Sequence, residues 1–93
     1  MIRVRFLRSF DQSLSALAKK DQDSVRAAVN LLLDYFAGGP RSLGLGLRKL
    51  RMSYWEIRAS LDKRILFLLE SDLATFVLVG NHAEISRFLR RHS

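Results

Sequence analysis

Apolar and polar positions alternate at the start of the chain. Ile2, Val4 and Phe6 are separated by Arg3 and Arg5, the period of a half-buried strand with a basic outer face. The period then lengthens. Phe10, Leu14, Leu17 and Ala18 fall at i, i+4, i+7 and i+8, one stripe of an amphipathic helix. Ser9 or Asp11 can cap its start, and Lys19 and Lys20 fall in its last turn, where cations suit the helix dipole. Asp21 can cap a second helix whose stripe is Val25, Ala28, Val29, Leu32, Leu33 and Phe36. The connection is so short that the two helices should form a hairpin. Gly38-Gly39-Pro40 ends the second helix, and the glycine-rich segment to Gly46 reads as a loop.

From Leu47 onward the pattern is that of consecutive strands. Leu47 to Met52 mixes basic and apolar residues. Trp55, Ile57, Ala59 and Leu61 then alternate with Glu56, Arg58 and Ser60, a period of two. Leu61-Asp62-Lys63 is a turn. Arg64 to Glu70 is apolar between charged ends, as a strand covered on both faces would be. Ser71-Asp72 makes a second turn, and Thr75 to Val79 is a further apolar strand closed by Gly80. Asn81-His82-Ala83-Glu84 has the spacing of a capping box. The helix it opens has Ile85, Phe88 and Leu89 on one face and Arg87, Arg90 and Arg91 on the other. The expected fold is α+β: an N-terminal strand, an α-helical hairpin, a four-strand antiparallel meander and a short C-terminal helix.

Composition narrows the function classes. Ninety-three residues make one domain, 1–93, burying roughly 60–70% of the surface of the unfolded chain. An apolar fraction of 48% and a charged fraction of 27% are those of an ordinary globule, which argues against disorder. Cysteine is absent, so disulfides, thiolate metal sites and cysteine nucleophiles are excluded. The apolar run Ile65 to Leu69 is far short of the roughly 20 residues that span a bilayer. The N-terminus has no signal-peptide pattern, so a cytoplasmic location and no membrane partner are expected.

Charge adds a direction. Sixteen Lys and Arg against nine Asp and Glu give a net charge of +7, a bias toward a polyanionic partner. The segment from Arg41 to Arg64 holds Arg41, Arg48, Lys49, Arg51, Arg58, Lys63 and Arg64 but only Glu56 and Asp62 as acids. If the hairpin covers one sheet face, the other is open or only partly covered, and positive charge gathers on the middle strands. That surface is either a binding face or a solvated one that maintains solubility.

Three stretches resemble the RelE/ParE superfamily of bacterial toxins from type II toxin–antitoxin modules. They are Leu47-Arg48-Lys49-Leu50 with Tyr54-Trp55-Glu56-Ile57-Arg58, then Lys63-Arg64-Ile65-Leu66-Phe67, then Val79-Gly80-Asn81-His82-Ala83-Glu84-Ile85. Ser9-Phe10-Asp11 before an amphipathic helix is similar too. The resemblance implies a toxin with a cognate antitoxin. RelE-like members cut mRNA in the ribosomal A site through the RNA's own 2′-hydroxyl and need no metal or cofactor. ParE-like members inhibit DNA gyrase instead, and a non-catalytic RNA-binding relative is a third possibility.

Such cleavage needs a proton acceptor, a proton donor and cations for the phosphoryl oxygens. Arg64 matches the arginine that RelE-like nucleases place before the apolar strand to clamp the phosphate. Arg58 matches a basic strand position at their active site. His82 matches their Gly-x-His position, and an imidazole titrates near neutrality. Glu56 either accepts a proton, orients Arg58 or is a salt-bridged strand carboxylate. Arg48, Lys49, Arg51 and Lys63 are candidate contacts to RNA phosphates, or strand-edge charges that discourage aggregation. Ser86 departs from the resemblance, because the family commonly has a catalytic Tyr there. Tyr54 and Trp55 offer rings for base stacking, although Trp55 with Ile57 suits a core. No Gly-rich phosphate loop, His-Glu-x-x-His or magnesium carboxylate set is present in the sequence.

Overall fold

The structure, a computed structural model, describes residues 1–92. Strand β1 (Arg3–Phe6) leads into helices α1 (Arg8–Ser15) and α2 (Lys19–Phe36). A short 3-10 turn (Leu43–Leu45) follows, then β2 (Arg48–Lys49), β3 (Tyr54–Arg58), β4 (Arg64–Glu70), β5 (Leu73–Gly80) and helix α3 (His82–Arg91). The strands form one mixed sheet in the order β1-β5-β4-β3-β2. Strands β2 to β5 are the expected antiparallel meander, and β1 joins its far edge parallel to β5.

Strand alternation divides the core in two. Ile57, Ile65, Phe67, Ala74, Phe76 and Val79 point to one face and pack against Phe10 of α1 and Val25, Ala28, Val29 and Leu32 of α2. Ile57, Ile65, Phe67 and Phe76 have no exposed surface, and each contributes roughly 1.5–3 kcal/mol by leaving water. Leu66, Val77 and Leu78 serve the other face, where Ile85, Phe88 and Leu89 of α3 lie on them. Of the two states expected for this face, open or only partly covered, the structure shows the second, with α3 of the same chain as the cover.

Several local expectations are corrected. Lys19 and Lys20 open α2 instead of closing α1. The stripes of the two helices run on almost without a break, so the sequence pattern conceals the boundary. Asp21 is accordingly in the first turn of α2 and not its cap; Ala18 stands at the cap position, without a side-chain hydrogen bond. Leu7, not Ser9 or Asp11, precedes α1. Ser9 and Ser13 instead face β5: Ser9 Oγ donates to the Val77 carbonyl at 2.6 Å and Ser13 Oγ accepts from Val79 N–H at 3.0 Å. They bracket a β-bulge, where Leu66 pairs with Leu78 but Phe67 pairs with Phe76, leaving Val77 as the extra residue.

Three further segments differ. The strand expected over Leu47 to Met52 shortens to Arg48–Lys49, because Arg51, Met52 and Ser53 turn the chain, with Met52 at φ +55°. β3 ends at Arg58, and Leu61 is exposed in the following turn. β1 is more exposed than expected, as an edge strand, although Phe6 still packs on Phe10 and Phe76 with ring centroids 5.3 and 5.1 Å away.

Candidate nucleic-acid interface

Tyr54, Glu56 and Arg58 alternate along β3 with the core residues Trp55 and Ile57, so they share the face on which α3 lies. The registers of the neighbouring strands decide what joins them. Arg48 of β2 is directly opposite Glu56, and Arg64 of β4 is directly opposite Arg58. Three guanidinium-bearing positions thus surround one carboxylate.

Glu56 is the centre of the arrangement. It is only 1% exposed, although it lies on a charged face. Its Oε2 lies 2.9 Å from Arg48 Nη2 and 3.2 Å from Arg64 Nη1. A buried carboxylate requires such partners. Of the roles open to Glu56 in the sequence, the geometry shows a salt-bridged carboxylate that fixes arginines, and the arginines it fixes are Arg48 and Arg64, not Arg58. Arg58 instead sets a like charge opposite Arg64, an unfavourable pairing in a sheet unless an anion joins it. The Arg64 side chain retains 22% exposure and Arg58 is exposed. Both guanidiniums can therefore meet a ligand.

The loop before β2 supports this edge. Leu45 is buried in the hairpin-side core, so the glycine-rich segment is anchored there. Gly46 follows in the left-handed region, φ +61°, and a Cβ at Gly46 would lie 3.3 Å from Arg58 Cβ. Arg41 Nη2 donates to the Leu47 carbonyl at 2.8 Å, closing the loop on itself.

His82 stands at the same end of the sheet. Arg64 pairs with Gly80, and His82 is two residues beyond Gly80 as the first residue of α3. The helix start is the expected capping box: Asn81 Oδ1 accepts from Glu84 N–H, and Glu84 Oε1 accepts from Asn81 N–H, each at 2.8 Å. The box fixes the backbone on both sides of His82 and leaves its ring exposed. Ser86, one turn on, is half-buried.

The remaining candidates are dispersed. Lys49 pairs with Trp55 and so belongs to the hairpin side of the sheet edge, away from Arg48. Arg51 is in the β2–β3 turn. Lys63 precedes Arg64 and contacts Asp62 at 3.4 Å. Among the described residues no group of His, Asp and Glu is placed to hold a metal ion, and no helix is long and apolar enough to cross a membrane.

Sequence reasoning missed the bond between Arg48 and Glu56, which depends on the β2–β3 register and so on a turn of irregular geometry. It also missed an aromatic contact at the far end of α3, where the His92 ring stacks on Phe88 with centroids 3.9 Å apart. The available signal was the i, i+4 spacing of the two rings.

No protein-family model and no curated protein sequence matches the chain. Solved structures do. The chain is similar to a chain of the Escherichia coli DinJ–YafQ complex, with a TM-score of 0.75 at 17% identity over 91% of this chain and 98% of that one. It is similar to a chain of the RelB–RelE antitoxin–toxin complex of Methanococcus jannaschii, with a TM-score of 0.69 at 16% identity over 90% and 96%. The RelE–RelB complex of Pyrococcus horikoshii gives 0.67 at 16% identity over 86% and 93%. The likeness extends over nearly the whole of both chains, and what it establishes is architecture: this chain has the fold of RelE-type toxins.

Proposed function

We propose that the chain is the toxin of a toxin–antitoxin pair and cleaves mRNA on the ribosome through the 2′-hydroxyl of the RNA itself. The observation that carries this reading is the Arg58–Arg64 pair, set opposite each other on β3 and β4 beside a buried Glu56 that already holds Arg48 and Arg64. A phosphate between the two guanidiniums relieves their repulsion and receives donors fixed in a planar fork. The 2′-oxygen attacks the adjacent phosphorus, the bond to the 5′-oxygen breaks, and a 2′,3′-cyclic phosphate and a free 5′-hydroxyl result. One proton leaves the 2′-hydroxyl and one reaches the 5′-oxygen.

Arg64 and Arg58 balance charge growing on the phosphoryl oxygens. His82, exposed at the same sheet end, carries the imidazole that can accept and donate a proton there. Glu56 and Arg48 act behind them as positioning residues. Ser86 supplies no phenol, so proton transfer rests on His82. The partner is an antitoxin, as in the DinJ–YafQ and RelB–RelE complexes of the structural relatives. The net charge of +7 favours an acidic neutralising segment.

In vitro translation tests the reading, with mRNA 3′ ends mapped with and without ribosomes and gyrase supercoiling followed in parallel. Cuts within codons at the A site are expected, and Arg64→Ala should reduce the rate by about 10²–10³ with the fold intact. His82→Ala should also lose cutting. Intact mRNA together with inhibited supercoiling would select a gyrase inhibitor instead.

A further inference from the structure

The end of α3 carries a second feature on the sheet face that holds the arginines. Tyr54 and Phe88 meet edge to face, with centroids 6.1 Å apart and planes at 80°. Phe88 in turn stacks on His92, with planes at 13°. The imidazole is held in place, since its Nδ1 lies 2.9 Å from the Phe88 carbonyl. A carbonyl only accepts, so Nδ1 carries the hydrogen. One ring face of His92 is against Phe88, and the residue is exposed. Preorganised flat surfaces of this kind, with one side facing solvent, receive the π-face of a nucleobase.

Position relates this surface to the arginines. Tyr54 and Arg58 are at opposite ends of the same side of β3, about 13 Å apart at a strand's rise per residue. α3 begins beside Arg64 and Gly80 and reaches Tyr54 with Phe88. The helix therefore runs from the paired guanidiniums to the aromatic end. Arg87 and Arg91, one turn apart and both exposed, flank Phe88 on the solvent side of the helix. Charge for the backbone and rings for a base thus lie along one path.

We infer that Tyr54, Phe88 and His92 form a base-stacking platform for single-stranded RNA, set a short stretch of extended strand away from the phosphate held by Arg58 and Arg64. The inference rests on the reading of that arginine pair as a phosphate site. His92 offers the contacting ring, Phe88 supports it, and Tyr54 fixes Phe88. Stacking is tolerant of base identity, so the platform adds affinity with little sequence preference.

The probe is a short oligoribonucleotide with a single 2-aminopurine, moved one position at a time along the strand, and titrated against the purified chain without ribosomes. Stacking quenches 2-aminopurine fluorescence, and because the platform is indifferent to base identity, quenching is expected at every position that the strand can bring onto it. His92→Ala changes an exposed residue beyond the last turn of α3, so the fold is retained. It should abolish the quenching and weaken binding about 5-fold or more, with the salt slope unchanged because no phosphate contact is removed. Arg91→Ala should keep the quenching and lower the salt slope. RNA bound without quenching at any position, or quenching that survives His92→Ala, overturns the platform. Arg64→Ala separates the two readings: if it abolishes mRNA cutting while quenching is absent from the wild type, the platform alone has failed.

Discussion

Arg64 donates from Nη1 to Oε2 of Glu56 across 3.2 Å, and the carboxylate that accepts is almost wholly buried. The same oxygen is 2.9 Å from Arg48. Removing the carboxylate leaves two guanidiniums near Arg58 without compensation. Breaking a fully buried pair costs about 3–5 kcal/mol, but Arg48 and Arg64 both reach solvent and can rehydrate. Glu56→Ala should therefore cost about 1–3 kcal/mol, measured as a lower midpoint in urea at unchanged slope. Glu56→Gln keeps the volume and should be milder, yet should lower cutting by raising the freedom of Arg64. Unchanged stability in Glu56→Ala would contradict a structural pairing.

A second prediction concerns the bulge in β5. Val79 N–H has Ser13 Oγ as its acceptor at 3.0 Å, and the Val77 carbonyl accepts from Ser9 Oγ at 2.6 Å. These hydroxyls replace ladder bonds lost where Val77 is extruded. Ser13→Ala orphans a half-buried N–H and should cost about 1–3 kcal/mol. Ser15→Ala, on the exposed side of the same helix, is the control and should stay within about 0.5 kcal/mol of the wild type. Hydrogen exchange at Val79 should accelerate in Ser13→Ala alone.

What the sequence disclosed was local. The alternation of Trp55 to Arg58, the turn at Ser71-Asp72 and the Asn81–Glu84 capping box each rest on neighbours, and each is found. What it concealed was set by distant partners. The parallel pairing of Arg3 to Phe6 with Leu73 to Phe76 joins segments far apart in the chain, and no spacing announces it. Ser9 resembled a cap because a serine hydroxyl readily accepts from the first-turn N–H groups, but it lies inside α1 and donates instead to the Val77 carbonyl of β5. Glu56 was recognisable as a candidate, whereas its partner Arg48 depended on a register set by a turn containing Met52 in the left-handed region.

The third prediction is a pH dependence at the sheet edge. Arg3 Nη2 and Nε donate to Asp72 Oδ1 at 2.8 and 3.1 Å, fastening β1 to the β4–β5 turn. This hydrogen bond, with the positive charge behind it, holds the Asp72 carboxyl below its ordinary value. A depressed folded-state value contributes stability at pH above the unfolded value, about 3.9, and the contribution is lost as pH falls through the folded one. Both side chains are solvent-exposed, so the effect is small and screened by salt. Titration of the Asp72 carboxyl carbon by NMR should show the low value in the wild type and the ordinary one in Arg3→Ala. The stabilities of the two proteins should converge at acid pH. An identical titration in both would remove the pair from the account.

The last prediction links backbone conformation to the arginine cluster. Gly46 has φ +61°, and a Cβ there would lie 3.3 Å from Arg58 Cβ and 3.8 Å from the Arg58 nitrogen. The left-handed conformation costs an alanine roughly 1–2 kcal/mol, and the close contact pushes on the strand position that carries one of the two opposed guanidiniums. Gly46→Ala should therefore destabilise the fold by about that amount and reduce RNA cutting beyond what the remaining folded fraction explains. Gly44 separates the two effects, since a Cβ there meets nothing within 4 Å and its backbone lies outside the left-handed region. Gly44→Ala should leave activity per folded molecule at the wild-type level. Equal losses in both variants would show that the segment matters only as a flexible connection, and that Arg58 takes its position from β3 and β4 alone.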